Sequence, residues 1–128
     1  MAAAPACPAD GRWSQCAIIE RLERSGLAPR LDSTAVPDAP PLAERGVLVH
    51  LGRAQLEVYL FADAGARERA AARLDRSRYI EYTANITMDQ KPTLIMSGNA
   101  IVILHSRSNH QRERVGNAIT AGAPSRAP

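Results

Sequence analysis

Residues 47–61 have the sequence VLVHLGRAQLEVYLF, and this stretch decides the fold. Two runs within it, 47–51 and 56–61, are rich in the β-branched, aliphatic and aromatic residues that favour strands. The connection between them, 52–55, is short and begins with Gly52, as is typical of hairpin turns. We therefore predict a β-hairpin over these residues.

The two faces of this hairpin differ in character, because successive side chains of a strand point to opposite sides. One face is purely aliphatic and is expected to be the core; it carries Val47, Val49, Leu51, Leu56, Val58 and Leu60. The other face mixes apolar and amphipathic side chains of the kind enriched at interfaces. We predict that a partner binds there, on a surface formed by Leu48, His50, Tyr59 and Phe61.

The remaining elements follow from periodicity and turn residues. Helical spacing is found from Trp13 to Arg24, over 64–75 and over 109–121, and Asp63 is placed to cap the second of these helices. Further strands are predicted at about 80–88, 93–96 and 100–105, separated by turns at 89–92 and 97–99. The proline-rich stretch 29–45 is expected to be a connection or at best an edge strand.

Together these elements predict an α+β fold, in which an antiparallel sheet of about four to five strands, built from two hairpins, has three helices packed on it. The 128 residues are the size of one domain. We expect a flexible N-terminal segment over 1–11, a single α+β domain over 12–122 and a disordered tail over 123–128. Because the runs 47–51 and 101–104 are apolar on both faces, both faces of the sheet need cover.

The two cysteines, Cys7 and Cys16, favour an oxidising compartment. A disulfide between them would tie the N-terminal segment to the first helix. The opening MAAAPAC lacks a basic region, and its apolar run is too short for a signal peptide. We expect that a signal was removed and that the protein is periplasmic or secreted.

A family resemblance begins with the stretch Leu56-Glu57-Val58-Tyr59-Leu60-Phe61, which leads into an Ala-rich helix. It extends to Pro92, Ser97-Gly98 and the run 101–104. From Leu27 to Ala121 the chain resembles a group of small bacterial secreted or lipoprotein-like domains of unknown function. The resemblance implies an extracytoplasmic module without enzymatic activity. The chain departs from the group in lacking an aromatic residue after Pro92 and a lipid-attachment cysteine.

Catalytic and metal-binding patterns are weak in this sequence. His50, His105 and His110 are the candidates for a His-based site, but they form no H-x-x-x-H or H-E-x-x-H pattern. Ser97 lies between two predicted strands, whereas a nucleophile elbow needs G-x-S-x-G between a strand and a helix. We therefore predict no enzyme activity, no metal and no cofactor, and keep a small enzyme with a His-based site as the second alternative.

Arginine clusters define the first alternative function, which is nucleic-acid binding. Of the 16 basic residues only Lys91 is a lysine. Arginines concentrate in the second and third predicted helices and just after the second, at Arg67, Arg69, Arg73, Arg76, Arg78, Arg107, Arg112 and Arg114. Glu68, Asp75 and Glu113 are interleaved with them, which favours self-paired, solvated faces over a phosphate-binding surface.

The function that we predict is a non-catalytic, extracytoplasmic protein-binding or structural module. Its partner would be another protein or a second copy of itself, and it would act as an accessory subunit of a membrane-associated assembly. A net charge of +3 is too small to require a nucleic acid as the partner.

Overall fold

The computed structural model describes residues 7–33, 42, 46–83 and 91–125. Its helices are α1 (Gln15–Arg24), α2 (Ala64–Ala71) and α3 (Asn109–Thr120), and a single 3-10 turn covers Arg76–Arg78. The strands are β1 (Pro29–Asp32), β2 (Gly46–Leu51), β3 (Ala54–Leu60), β4 (Ile80–Glu81), β5 (Thr93–Ser97) and β6 (Ala100–His105). The α+β class predicted from the sequence is confirmed.

The six strands form one sheet in the order β1-β2-β3-β6-β5-β4. Two hairpins build its centre, β2–β3 and β5–β6, and each closes through a two-residue turn that begins with a glycine. Gly52 has φ +64° and Gly98 has φ +54°, while no non-glycine residue in the described part of the chain has positive φ. This combination defines type II′ turns, whose twist matches that of the flanking strands. The hairpin predicted over 47–61 is therefore present.

The sheet is larger than predicted and is mixed rather than antiparallel. The proline-rich stretch contributes β1, an edge strand antiparallel to β2. Within the described part of the run predicted at 80–88, Ile80–Glu81 forms a strand, and this strand is parallel to β5. A turn at 89–92 between the two strands would have given an antiparallel pair, whereas β4 and β5 are parallel. Residues 84–90 lie outside the described part of the chain.

Helices cover both faces of the sheet. On one face α1 and α3 bury Trp13, Ile18, Leu22, Val115 and Ile119 against the aliphatic face of the central strands. On the other face a second core joins α2 and Leu42 to Tyr59 and the apolar residues of β5 and β6. The expectation that both faces need cover is thus confirmed, and the cover divides into two helices on one face and one on the other.

Side-chain caps set the helix starts. Asp63 accepts a hydrogen bond from the backbone N–H of Ala66 at 2.7 Å, as the sequence predicts, and Ser14 caps α1 in the same way. Helix α2 ends at Ala71, four residues earlier than predicted. Within the described residues, no helix has the length and apolarity that a membrane span needs.

The described residues of the two ends are joined. Cys7 and Cys16 form the predicted disulfide. Asp10 and Ser125 form an antiparallel bridge, and the backbone N–H of Gly11 donates to the Pro124 carbonyl at 2.9 Å. Residues 7–11 and 124–125, predicted as flexible segments, therefore contact each other; residues 1–6 and 126–128 lie outside the described part.

Candidate functional site

The predicted partner surface lies on the face that α2 covers. Tyr59 has no exposed surface because it belongs to the second core, and Leu48 is only 8% exposed. Phe61 and His50 keep part of their surface exposed. In this structure, the accessible part of the predicted surface is limited to these two side chains.

A buried carboxylate organises the polar part of this face. Glu57 on β3 is only 6% exposed. The Tyr59 hydroxyl donates to one of its carboxylate oxygens, and Nε2 of His105 on β6 pairs with the other. In the strand register Glu57 faces Ile103 and His105 faces Gln55, so Glu57 and His105 are diagonal neighbours on one face. The carboxylate therefore fixes the orientation of the His105 ring.

A second histidine–carboxylate pair lies across the sheet. Nε2 of His50 is 2.8 Å from the Asp32 carboxylate, and each side chain is about one quarter exposed. His50 and His105 both face Gln55 in the register, from β2 and β6 respectively. Sequence analysis identified both histidines but neither carboxylate partner, since the partners are assigned only by the pairing of distant strands.

A cavity opens beside His105, at the end of the sheet where the β2–β3 turn meets the loop between β6 and α3. It encloses about 750 Å³, within the usual range for ligand sites of roughly 300–1,000 Å³. Its walls are formed by Leu51, Gly52, Arg53, Ala54, Pro92, His105, Ser106, Arg107, Ser108 and Gln111. His110, the third histidine candidate, is not among them.

Buried hydrogen bonds hold the loop that forms one wall of this cavity. Arg112, only 2% exposed, donates from Nη2 to the Ser106 carbonyl at 2.9 Å and from Nε to Thr93 Oγ1 at 2.6 Å. Gln111 donates from its side-chain amide to the Leu51 carbonyl at 3.2 Å, which joins the loop to the β2–β3 hairpin. The two walls are thus fixed to the sheet and to each other.

The two serines of the cavity are already engaged. Ser106 Oγ donates to Gln111 Oε1 at 2.5 Å and accepts from the Ser108 N–H at 3.1 Å. Ser108 Oγ accepts from the Gln111 N–H at 3.1 Å as the N-cap of α3. In the described structure neither hydroxyl is hydrogen-bonded to His105, the arrangement that would activate a serine nucleophile.

Three residues of the arginine clusters are engaged by other groups of the protein. Arg112 is buried, Arg67 donates to the Gly98 carbonyl at 3.0 Å, and Arg76 pairs with Glu81 at 3.5 Å. Arg53 and Arg107, by contrast, are exposed at the cavity. The described residues contain no group of three or more His, Cys, Asp or Glu side chains able to hold a metal ion.

Comparison of the chain with protein-family models, with curated proteins and with solved structures finds no match. The class of protein defined by the fold and the site is therefore an α+β domain with a preformed cavity at one end of a mixed sheet.

Proposed function

We propose that this protein is an extracytoplasmic, non-catalytic binding module that holds a short segment of a partner protein in the cavity between the β2–β3 turn and the loop 106–108. The Cys7–Cys16 disulfide supports the compartment, because disulfides persist in oxidising environments. In this proposal the module is an accessory subunit of a membrane-associated assembly.

The single observation that carries this proposal is that hydrogen bonds hold both walls of the cavity. Arg112 and Gln111 fix the loop to β5 and to the hairpin through hydrogen bonds to Thr93, Ser106 and Leu51. A preformed cavity binds without the entropic cost of ordering its walls, which is the usual property of a ligand site.

The hydrogen bonds of the serines support binding over catalysis. A serine nucleophile must transfer its proton to a base, but Ser106 directs its proton to Gln111 and Ser108 serves as a helix cap. His105 is oriented by Glu57, so it can act as a fixed hydrogen-bonding group at the cavity rim.

The proposal is tested with the full chain, its disulfide intact, by two-dimensional NMR against a library of neutral, anionic and cationic fragments. We expect the shift changes to cluster at Gly52, Arg53, 106–108 and Gln111. Gln111→Ala should weaken the binding of these fragments, since it frees the loop from the hairpin. Gln15→Ala, at an exposed position of α1, should leave their binding unchanged. Fragments that bind only elsewhere, or nowhere, contradict the proposal.

The protein partner is tested separately. Sedimentation of the purified chain distinguishes self-association from binding to another protein. Phe61→Ala probes the accessible part of the originally predicted surface, and we expect it to leave fragment binding in the cavity unchanged, because Phe61 does not line that cavity.

A further inference from the structure

Positive charge lines the cavity on both sides. Arg53 lies at the tip of the β2–β3 hairpin, and Arg107 lies on the facing loop between β6 and α3. Both side chains are exposed, and in the described structure neither makes an ion pair or a side-chain hydrogen bond. Both arginines line the same cavity, and each guanidinium group can donate two parallel hydrogen bonds to an oxyanion.

Backbone donors add to this charge. No described residue accepts a hydrogen bond from the backbone N–H of Gly52 or Arg53, the two central residues of the type II′ turn. Helix α3 begins at Asn109 and has no acidic residue in its first turn. The positive end of its dipole therefore adds to the positive potential at the cavity.

Among the described residues, no carboxylate lies at the cavity wall. The described lining residues include no Asp or Glu. The nearest acidic group in the network is Glu57, which is buried on the sheet face and already paired with Tyr59 and His105. An incoming anion therefore meets donors at the wall, while the negative charge lies behind the His105 ring.

We propose that the cavity binds an oxyanion, a carboxylate or a phosphate group, between Arg53 and Arg107. This inference rests on the proposed function, because it names the chemistry of the segment that the cavity holds. Two sources can supply the group: an acidic side chain of a protein segment, or a free phosphate.

The experiment titrates the full, disulfide-bonded chain by NMR and calorimetry with four probes. They are an acetylated and amidated tetraglutamate peptide, the matched tetraglutamine peptide, inorganic phosphate and single-stranded oligo-dT. Arg53→Gln and Arg107→Gln are compared with Arg73→Gln, a control that removes an exposed arginine outside the cavity lining.

We expect tetraglutamate to bind in the cavity more tightly than tetraglutamine. Arg53→Gln and Arg107→Gln should each weaken the affinity for tetraglutamate about fivefold, the effect of one exposed charge pair. Arg73→Gln should leave this affinity unchanged. Added salt should weaken it further. Tight binding of phosphate with the same dependence on Arg53 and Arg107 supports the oxyanion site and assigns its source to free phosphate.

The other outcomes overturn the inference in distinguishable ways. Equal binding of tetraglutamate and tetraglutamine in the cavity would show a site without charge selectivity and leave the proposed function standing. If every probe and every fragment shifts only resonances outside the cavity, both the oxyanion site and the proposed function are contradicted. Oligo-dT binding that Arg73→Gln weakens as much as the cavity variants do would show a distributed arginine surface for nucleic acid instead.

Discussion

Gly116, in the middle of α3, offers a quantitative test of how the helix packs. A Cβ atom added at this glycine would lie closer than 3.0 Å to three carbons of the Tyr82 ring, a separation that real Cβ atoms do not adopt. Tyr82 holds its ring against the helix by donating its hydroxyl to Asn117 Oδ1 at 2.5 Å. Gly116→Ala must therefore displace the ring.

The expected magnitude combines two opposing effects. Alanine is favoured over glycine inside a helix by about 1 kcal/mol. Displacement of Tyr82 loses one hydrogen bond, about 1 kcal/mol, and the burial of part of an aromatic ring, roughly 1–2 kcal/mol. Gly116→Ala should lower the free energy of unfolding by about 1–2 kcal/mol in the wild-type chain. In a Tyr82→Ala background the same change should raise it by about 1 kcal/mol, because only the helix preference remains.

Urea unfolding of the four proteins of this double-mutant cycle measures the coupling between the two positions, which should be about 2–3 kcal/mol. Tyr82→Phe is the matched control: the ring carbons, not the hydroxyl, occupy the space, so Gly116→Ala should still destabilise this variant. A Gly116→Ala chain that is more stable than wild type by the amount seen with Tyr82→Ala would refute the packing of Tyr82 on Gly116.

The titration of Tyr82 gives an independent readout. Burial, with a smaller contribution from the Glu113 carboxylate, raises the pKa of Tyr82 above its ordinary value of 10.0. In Gly116→Ala the displaced ring should ionise closer to that value, which the absorbance of tyrosinate measures. A raised pKa in the folded state stabilises the fold fully below pH 10 and less as the pH rises through the folded pKa. The stability difference between wild type and Gly116→Ala should therefore shrink in strongly alkaline solution.

Three further substitutions test other contacts by the same unfolding assay. Replacing Cys7 and Cys16 together by alanine should lower the free energy of unfolding by about 2–3 kcal/mol, as closure of a short loop predicts; an unchanged stability would contradict this. Asn99→Ala should cost roughly 2–4 kcal/mol, because it removes three hydrogen bonds to backbone groups, two of them buried and one partly buried. Arg112→Lys should cost about 2–3 kcal/mol, since an ammonium group cannot reproduce the forked contacts of the guanidinium, and a cost within error of zero would show that the fork is dispensable.

The sequence was sufficient for features that depend on near neighbours. The hairpin over 47–61 follows from alternation and one glycine, and the cap at Asp63 follows from a residue type at a helix start. Strand order and direction could not be predicted in full, because no local signal in the sequence specifies that β4 and β5 pair in parallel.

Two features of the site show the same limit more sharply. Tyr59 was placed on a partner surface because an amphipathic strand face looks the same in sequence whether a helix covers it or not; α2 covers it, and the residue is buried. Glu57 and His105 are 48 residues apart, and only the register of β3 with β6 brings them together. The cavity has the same origin, since its walls come from a turn at 52–53 and a loop at 106–108.

The two ends of the sheet carry different kinds of contact, and this difference supports the proposal that one of them is a binding site. At the end of the β5–β6 turn, Asn99 is 4% exposed, accepts from the Trp13 N–H at 2.6 Å and donates to the Phe61 carbonyl at 2.8 Å. The disulfide of Cys7 lies on the same N-terminal segment. These contacts of Asn99 and of the disulfide join distant parts of the chain to each other, so substitutions at this end of the sheet should change stability.

At the opposite end, Arg53 and Arg107 line the cavity between the β2–β3 turn and the loop before α3, and hydrogen bonds from Arg112 and Gln111 hold that loop. A protein gains no folding stability from exposed like charges placed across a cavity, since they repel each other. Their cost is recovered only when an anion binds between them. Substitutions of Arg53 and Arg107 should therefore leave the fold as stable as before, or slightly more stable, while they weaken binding, and this separation of effects is the property of a functional site.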